Sequence, residues 1–228
     1  MCGRYLLTTP VDALAQLFRF GERPNLGPRY NVAPTQDVPI VRRSRDGERR
    51  ELILVRFGLV PYWADDPKIG SRLINGRAET LERTRAFREA YRRRRCLVPA
   101  DGFFEWRKEG RQRQPFLIRR RDRAPFAFAG LWERWRQSDG GVLRSCTIVT
   151  CPANALVAPV HDRMPVILAT DDHEAWLDPE ADGRVLLRPC PADWLEAIPV
   201  SPRVNNPAND DPECLAPLVG ATEQARLL

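Results

Sequence analysis

The sequence predicts an α+β fold, with a curved or barrel-like, mainly antiparallel sheet and helices at its periphery. Two observations carry this. Short runs rich in β-branched and aromatic residues recur along the 228-residue chain, bounded by Gly, Pro, Asn or Asp. Helical periodicity is confined to a few segments that never alternate regularly with the strands, which argues against a parallel βα array. No repeat, low-complexity stretch or linker interrupts this pattern, so residues 1–228 read as a single domain. A hydrophobic content of 43% excludes a disordered chain, and the length suffices for a substantial core.

In order along the chain, Thr9-Pro10-Val11-Asp12 supplies a cap, a first-turn proline and an acid at the positive end of a helix. Leu14, Leu17 and Phe18 continue it at helical spacing to an end near Gly21. After a proline-rich loop, residues 38–41 and 52–55 form a hairpin around the Asp46-Gly47 turn. Residues 57–63 lead into a polar loop, and residues 74–79 leave it. Residues 79–95 have a helical pattern, with Leu81, Phe87 and Tyr91 among many charges. Four arginines, 92–95, close this helix where cations suit its dipole; such a run is either a solvated face or a phosphate contact. Strands are expected at 96–100 and 103–106, separated by the Asp101-Gly102 turn, then at 115–118, 126–131, 145–150 and 166–169. Short helices are expected at 172–177 and 192–197. His173, in a polar helix start, reads as a surface residue.

The net charge is +6, and only Lys68 and Lys108 among the 36 cationic residues are lysines. The guanidinium fork matches phosphate, so nucleic acid is a natural partner, although a GC-rich genome also yields abundant Arg, Ala and Pro. No apolar run is long enough for a signal peptide or a membrane span, so a cytoplasmic protein without a membrane partner is expected. The six cysteines include no Cys-x-x-Cys pair, and His161 and His173 are the only histidines. Reduced thiols are therefore expected, with no metal and no other cofactor.

The chain is organised around Met1-Cys2-Gly3-Arg4. Once Met1 is trimmed, Cys2 carries an α-amine and a thiol on adjacent carbons. The amine condenses with an aldehyde to an imine, and the thiol then closes a five-membered thiazolidine ring. An α-amine titrates near ~8 and a thiol near ~8.5, so both nucleophiles are partly available at neutral pH. The intramolecular second step gains an effective molarity on the order of 10⁵ M or more. Cys2 is otherwise a small apolar residue under the first strand, or the nucleophile of an N-terminal-nucleophile amidohydrolase.

Three further residues carry chemistry. Asn75 precedes Gly76 in an apparent turn. Glu105 sits between Phe104 and Trp106 and points either outward into water or inward as a carboxyl of raised pKa suited to proton transfer. His161 precedes Asp162-Arg163-Met164-Pro165 at the entrance of a hydrophobic strand, as a structural residue or as a proton shuttle.

Together these segments resemble one family. Cys2-Gly3-Arg4-Tyr5, Tyr30-Asn31-Val32-Ala33-Pro34, Gly58-Leu59-Val60-Pro61 and Asn75-Gly76-Arg77-Ala78-Glu79-Thr80 are similar, in order, to motifs of the SOS response-associated peptidase (SRAP) family. Residues 95–106, His161-Asp162-Arg163-Met164-Pro165 and Val204-Asn205-Asn206-Pro207 extend the likeness over nearly the whole chain. Gly76 stands where alanine is common and Phe57 where tryptophan is common; neither change removes a reactive group.

The resemblance implies autocatalytic loss of Met1, recognition of abasic sites in single-stranded DNA, and a covalent link from Cys2 to the ring-opened sugar, with Asn75, Glu105 and His161 around it. Glu105 is assigned chiefly to imine formation and reversal, His161 to sugar opening and Asn75 to orientation. Arg4, Arg77 and Arg163 are expected on phosphates, Trp106 and Trp63 under bases, and Pro39-Ile40 as the apolar wedge. Core packing is an equal alternative for Trp106 and the stronger one for Trp63. A monomer is the default. The rivals are the amidohydrolase and a noncatalytic single-strand binder.

Overall fold

In a computed structural model, which describes residues 2–218, the apolar runs pair into two sheets. The chain passes through β1 (Tyr5–Leu7), α1 (Val11–Phe18), β2 (Arg29–Val32), β3 (Asp37–Arg43), β4 (Arg50–Phe57), β5 (Asn75–Arg77), α2 (Arg88–Arg93), β6 (Arg95–Ala100) and β7 (Gly102–Glu109). It continues through β8 (Gln112–Arg120), β9 (Phe126–Arg136), β10 (Val142–Pro152), β11 (Arg163–Pro165), β12 (Ile167–Leu168), α3 (His173–Leu177) and β13 (Leu195–Pro199).

The expected hairpin forms as β3 and β4, with Val38 opposite Val55 and Val41 opposite Leu52. From it a ring closes. β3 pairs with β6, β6 with β9 and β9 with β10, all antiparallel, and β10 returns to β4 in parallel. Closure removes exposed strand edges and encloses a largely apolar interior. Ile40, Phe57, Leu97, Phe128 and Ile148 are fully buried. At the join, Gly58 takes φ +116° and its backbone lies so close to Gly70 that a Cβ would stand 2.5 Å from the Gly70 oxygen. A side chain at either position would push the 59–73 loop off the barrel.

The second sheet has the order β13-β8-β7-β1-β2. β6 and β7, neighbours in sequence, separate into different sheets at Asp101. Its carboxylate holds the crossing by accepting hydrogen bonds from the backbone and hydroxyl groups of Thr8 and Thr9, at 2.5 to 2.8 Å. One core cluster runs through both sheets, joining Tyr5, Phe103 and Ile118 to the barrel. A smaller one packs Leu6, Phe104 and Leu117 against Val200, Val204 and Cys214. β1, β7 and β8 are therefore covered on both faces, which explains the unbroken apolar run at 103–104.

Four expectations need correction. The helix over residues 79–95 breaks up: Thr84 spends its hydroxyl on the Thr80 carbonyl at 2.8 Å, and only Arg88–Arg93 is α-helical. Its arginine run does not form one solvated face. Arg94 pairs with Glu133 at 2.8 Å, and Arg95 is buried, donating to the carbonyls of Tyr91, Trp176, Pro179 and Ala181. Residues 192–197 are not a helix. After a single 3-10 turn they enter β13, because the edge of β8 offers a ladder from Leu195 opposite Arg120 to Pro199 opposite Phe116. α1 stops at Phe18 with Arg19 in the left-handed conformation, before Gly21.

His173 is the fourth. It is 2% exposed, because His173, Trp176 and Leu177 form the inward face of α3. Its ring stacks on Phe18 with centroids 5.3 Å apart, and neither ring nitrogen has a hydrogen-bond partner. Burial, reinforced by Arg50 and Arg19, pushes its pKa down to about 4. A depressed histidine is neutral in the native state and charges first in the unfolded one. Stability should therefore fall as pH drops from the unfolded value near ~6.5 to about 4, by on the order of 3 kcal/mol. Urea midpoints of the wild type and His173→Phe, compared at pH 7 and pH 4.5, test this. The variant should lose markedly less stability across the interval, and parallel losses would remove His173 from the account.

Candidate active site

The antiparallel register of β1 on β7 brings Cys2 toward Glu105. Tyr5 lies opposite Phe103, and the Phe104 N–H donates to the Arg4 carbonyl at 3.0 Å. Each step back along β1 toward Cys2 is a step forward along β7 toward Glu105. Both residues are almost fully buried, at 1% and 2% exposure, so Glu105 takes the inward of its two orientations. Burial raises the Glu105 carboxyl above the usual carboxylate range, and the nearby His161 works against that rise. Burial also pushes the Cys2 thiol well above its ordinary value, and the Glu105 charge adds to the effect. The resting thiol is thus protonated, within reach of the charge of a carboxyl whose proton is held more tightly than an exposed glutamate would hold it.

Asn75 is a strand residue and not a turn. It opens β5, which runs parallel to β10 with Asn75 opposite Ile148. Its side-chain amide donates to the Cys2 carbonyl at 3.0 Å and to the Ile148 carbonyl at 3.4 Å, tying the amino-terminal strand to the barrel. The adjacent Gly76 has an explanation in packing. A Cβ there would stand 2.8 Å from Leu81 Cδ2, so Leu81, with Phe87 behind it, fills the space an alanine methyl would need.

His161 follows the loop after β10, where Ala153 bonds back to Asp162 and the His161 N–H to Val157. Its Nδ1 accepts the Arg163 backbone N–H at 2.9 Å and also lies 2.9 Å from an Asp162 carboxylate oxygen. These two contacts demand opposite tautomers. The backbone donor is held by β11, whereas the Asp162 side chain is 87% exposed and turns readily to water, so we assign Nδ1 as the acceptor. Nε2 then carries the proton of the neutral ring.

The residues expected to meet DNA divide. Arg77 is exposed beside Asn75. Arg163 forms a bidentate pair with Glu79 at 2.6 and 3.0 Å and donates to the Thr150 carbonyl at 2.7 Å. Arg4 is engaged by the protein itself, donating to Asn31 Oδ1, the Val204 carbonyl and the Asn205 carbonyl. Trp63 lies under the Arg85 guanidinium, 4.2 Å from the ring centre. Pro39 and Ile40 require a correction. Both are buried within β3, opposite Leu54 and Ile53, and present no apolar edge to a base.

Trp106 borders a shallow groove of about 450 Å³ with Gly3, Arg4, Pro34, Arg113 and Asn205. Sequence reasoning missed Arg113 and named Asn205 only as part of the 204–207 motif, with no role. Trp106 pairs across the strands with Pro115, so period-two alternation along β8 returns to the same face at Arg113. The motif marks Asn205 but not its place beside Trp106, which lies ~100 residues away in sequence. Two cavities of about 510 Å³ elsewhere are lined by none of Cys2, Asn75, Glu105 and His161, so cavity size does not point to the chemistry.

Comparison with known proteins places the chain in a family. Residues 1–207 match the family described as SOS response associated peptidase (SRAP). The abasic site processing protein YoqW of Bacillus subtilis is 40% identical over 94% of this chain and 99% of its own length. The abasic site processing protein YedK of Escherichia coli is 34% identical over 96% of this chain and 100% of its own. A crystal structure of a protein from Bacteroides thetaiotaomicron superposes with a TM-score of 0.83 at 26% identity, covering 96% of this chain and 100% of that one. With the match spanning nine-tenths of the sequence, the chain belongs to the SOS response-associated peptidase family.

Proposed function

We propose that this protein processes abasic sites in single-stranded DNA by linking Cys2 covalently to the ring-opened sugar. One observation carries the reading: a cysteine at position 2, held through its carbonyl by Asn75, whose thiol senses the charge of a buried carboxyl that in turn senses His161. The names of the relatives support the lesion as substrate.

Met1, whose removal the reaction requires, lies outside the described residues. Its loss by attack of the Cys2 thiol on the preceding carbonyl, followed by hydrolysis, would free the α-amine. His161 then moves a proton as the sugar hemiacetal opens. The amine adds to the aldehyde, Glu105 supplies the proton for dehydration, and the aldehyde oxygen leaves as water with the two amine hydrogens. The Cys2 S–H adds across the resulting C=N bond: sulfur bonds to carbon and the hydrogen ends on nitrogen, closing the thiazolidine. Closure saturates the carbon through which an imine would promote β-elimination of the 3′ phosphate, so strand cleavage is a side branch and the lesion is shielded.

The test is direct. Protein mixed with an abasic oligonucleotide and heated in detergent should give a shifted band without reductant, and intact mass should show loss of Met1. Ammonia release from glutamine without an adduct would favour an N-terminal-nucleophile amidohydrolase instead. Affinity should also fall with salt. If Arg77, Arg113 and Arg163 each meet a phosphate, the slope of log K against log[salt] is about −2 for a single strand. A slope near zero, measured by fluorescence anisotropy, would rule out the phosphate clamp.

A further inference from the structure

The motif Val204-Asn205-Asn206-Pro207 takes no part in the chemistry above, yet the fold gives it a built mooring. Asn31, fully buried at the end of β2, donates from its amide to the carbonyls of Val204, Asn206 and Asn209 at 3.1, 3.1 and 2.8 Å, and accepts from Arg4 at 2.9 Å. Asp210 adds a second anchor. Its carboxylate accepts from the backbone N–H groups of Tyr30 and Asn31 at 2.5 and 2.9 Å and from Arg29 Nε at 2.5 Å. Arg4 bonds to the Val204 carbonyl at 2.9 Å and to the Asn205 carbonyl at 3.3 Å, so the strand that carries Cys2 and the loop at 204–210 are held together. Val204 closes the mooring from beneath, in the cluster with Leu6 and Phe104.

From this moored loop a single exposed side chain reaches into the groove. Asn205 Oδ1 accepts the indole N–H of Trp106 at 2.6 Å, and the Arg4 guanidinium lies 6.0 Å from the centre of that ring. Trp106 projects from β7, has Asn205 at its polar edge and shares the groove lining with Gly3, next to Cys2. A hydrogen bond at the ring nitrogen favours one orientation about the side-chain torsions, so a base arriving beside the lesion would find the platform largely preformed.

We infer that Asn205 is a positioning residue for DNA binding. It acts through Trp106 and is itself fixed by the Asn31 and Asp210 mooring, so that the 204–210 loop sets the groove for the nucleotide adjoining the abasic site. This rests on the proposed function. It goes beyond it by giving the carboxy-terminal motif a role in affinity and none in the bond-forming steps.

The test measures crosslinking rate against abasic-oligonucleotide concentration. Asn205→Ala removes an exposed side chain, and its fold is checked by melting temperature. It should raise the half-saturating concentration about three- to tenfold, the range expected for one lost orienting hydrogen bond, with the rate at saturation changed less than about twofold. In a Trp106→Phe background, which has no indole N–H to hold, the same substitution should add nothing. Asp210→Ala touches neither Trp106 nor the groove lining and should raise the same constant by loosening the loop. An unchanged half-saturation in Asn205→Ala, or an equal effect of that change with and without the indole, would overturn the inference. Trapping of a small aryl aldehyde by the wild type, read by mass, separates the two levels. If it traps the aldehyde but never the oligonucleotide, the proposed substrate is wrong; if both are trapped and Asn205→Ala matches the wild type, only the positioning role fails.

Discussion

Cys2→Ala is expected to abolish the heat- and detergent-stable adduct with an abasic oligonucleotide, a loss of at least about a hundredfold in yield at fixed time. With no thiol to release Met1, the variant is first trimmed by an added methionine aminopeptidase; alanine then retains the α-amine but offers no second nucleophile, so an imine can form and cannot close. Treatment with borohydride should then recover an adduct that is absent without it, and strand cleavage by β-elimination should increase. Because Cys2 is buried and Sγ is its only heavy atom beyond Cβ, the packing cost is modest, about 1 kcal/mol, and melting temperature will show whether the fold persists. A stable adduct from Cys2→Ala without reductant would remove the thiazolidine from the mechanism. Cys2→Ser should resemble Cys2→Ala, because a hydroxyl is a far weaker nucleophile than a thiol.

The second large effect concerns Glu105, for which activity and stability should move in opposite directions. Glu105→Gln removes the proton carrier, and adduct formation should slow by about 10²- to 10⁴-fold. The same change should stabilise the fold at neutral pH. Burial raises the native carboxyl above its unfolded value, so the native state binds the proton more tightly. That contribution is complete below the unfolded pKa and is lost as pH rises through the native one. The neutral amide does not titrate, so the melting-temperature gain of the variant over the wild type should be small at pH 4 and grow as pH rises toward 7. Calorimetry over that range, beside the gel assay, reads both effects. Full crosslinking by Glu105→Gln would end the proton-transfer assignment, and a gain independent of pH would show that the buried charge is not its source.

Some of the architecture is legible in local chemistry. The β3–β4 hairpin follows from two apolar runs around a turn, and α1 from a proline start and periodic leucines, because both depend on neighbours within a few residues. His173 defeats local reading, since Asp171, Asp172 and Glu174 make its surroundings look wet while the turn of α3 aims it at Phe18. Residues 195–199 form a strand because β8 has an edge to extend, and that edge exists only after the sheet is assembled. Arg95 sits beside three other arginines in sequence, and only the fold shows that four carbonyls gather around it.

The chemistry proposed for Cys2 is written in the covalent chain, since an aminothiol on adjacent carbons can close a five-membered ring, and the ordered motifs from Cys2 to His161 mark the family without coordinates. Tertiary structure alone decided that Glu105 faces inward, that Asn75 reaches the Cys2 carbonyl across ~70 residues of sequence, and that Arg4 and Asn31 moor a loop some ~170 to 200 residues distant. The physical reason is range. Bond connectivity and the intrinsic pKa of a side chain belong to a residue alone, whereas burial, charge coupling and hydrogen-bond partners are set by which strands pair, and closing the barrel is what brings those strands together.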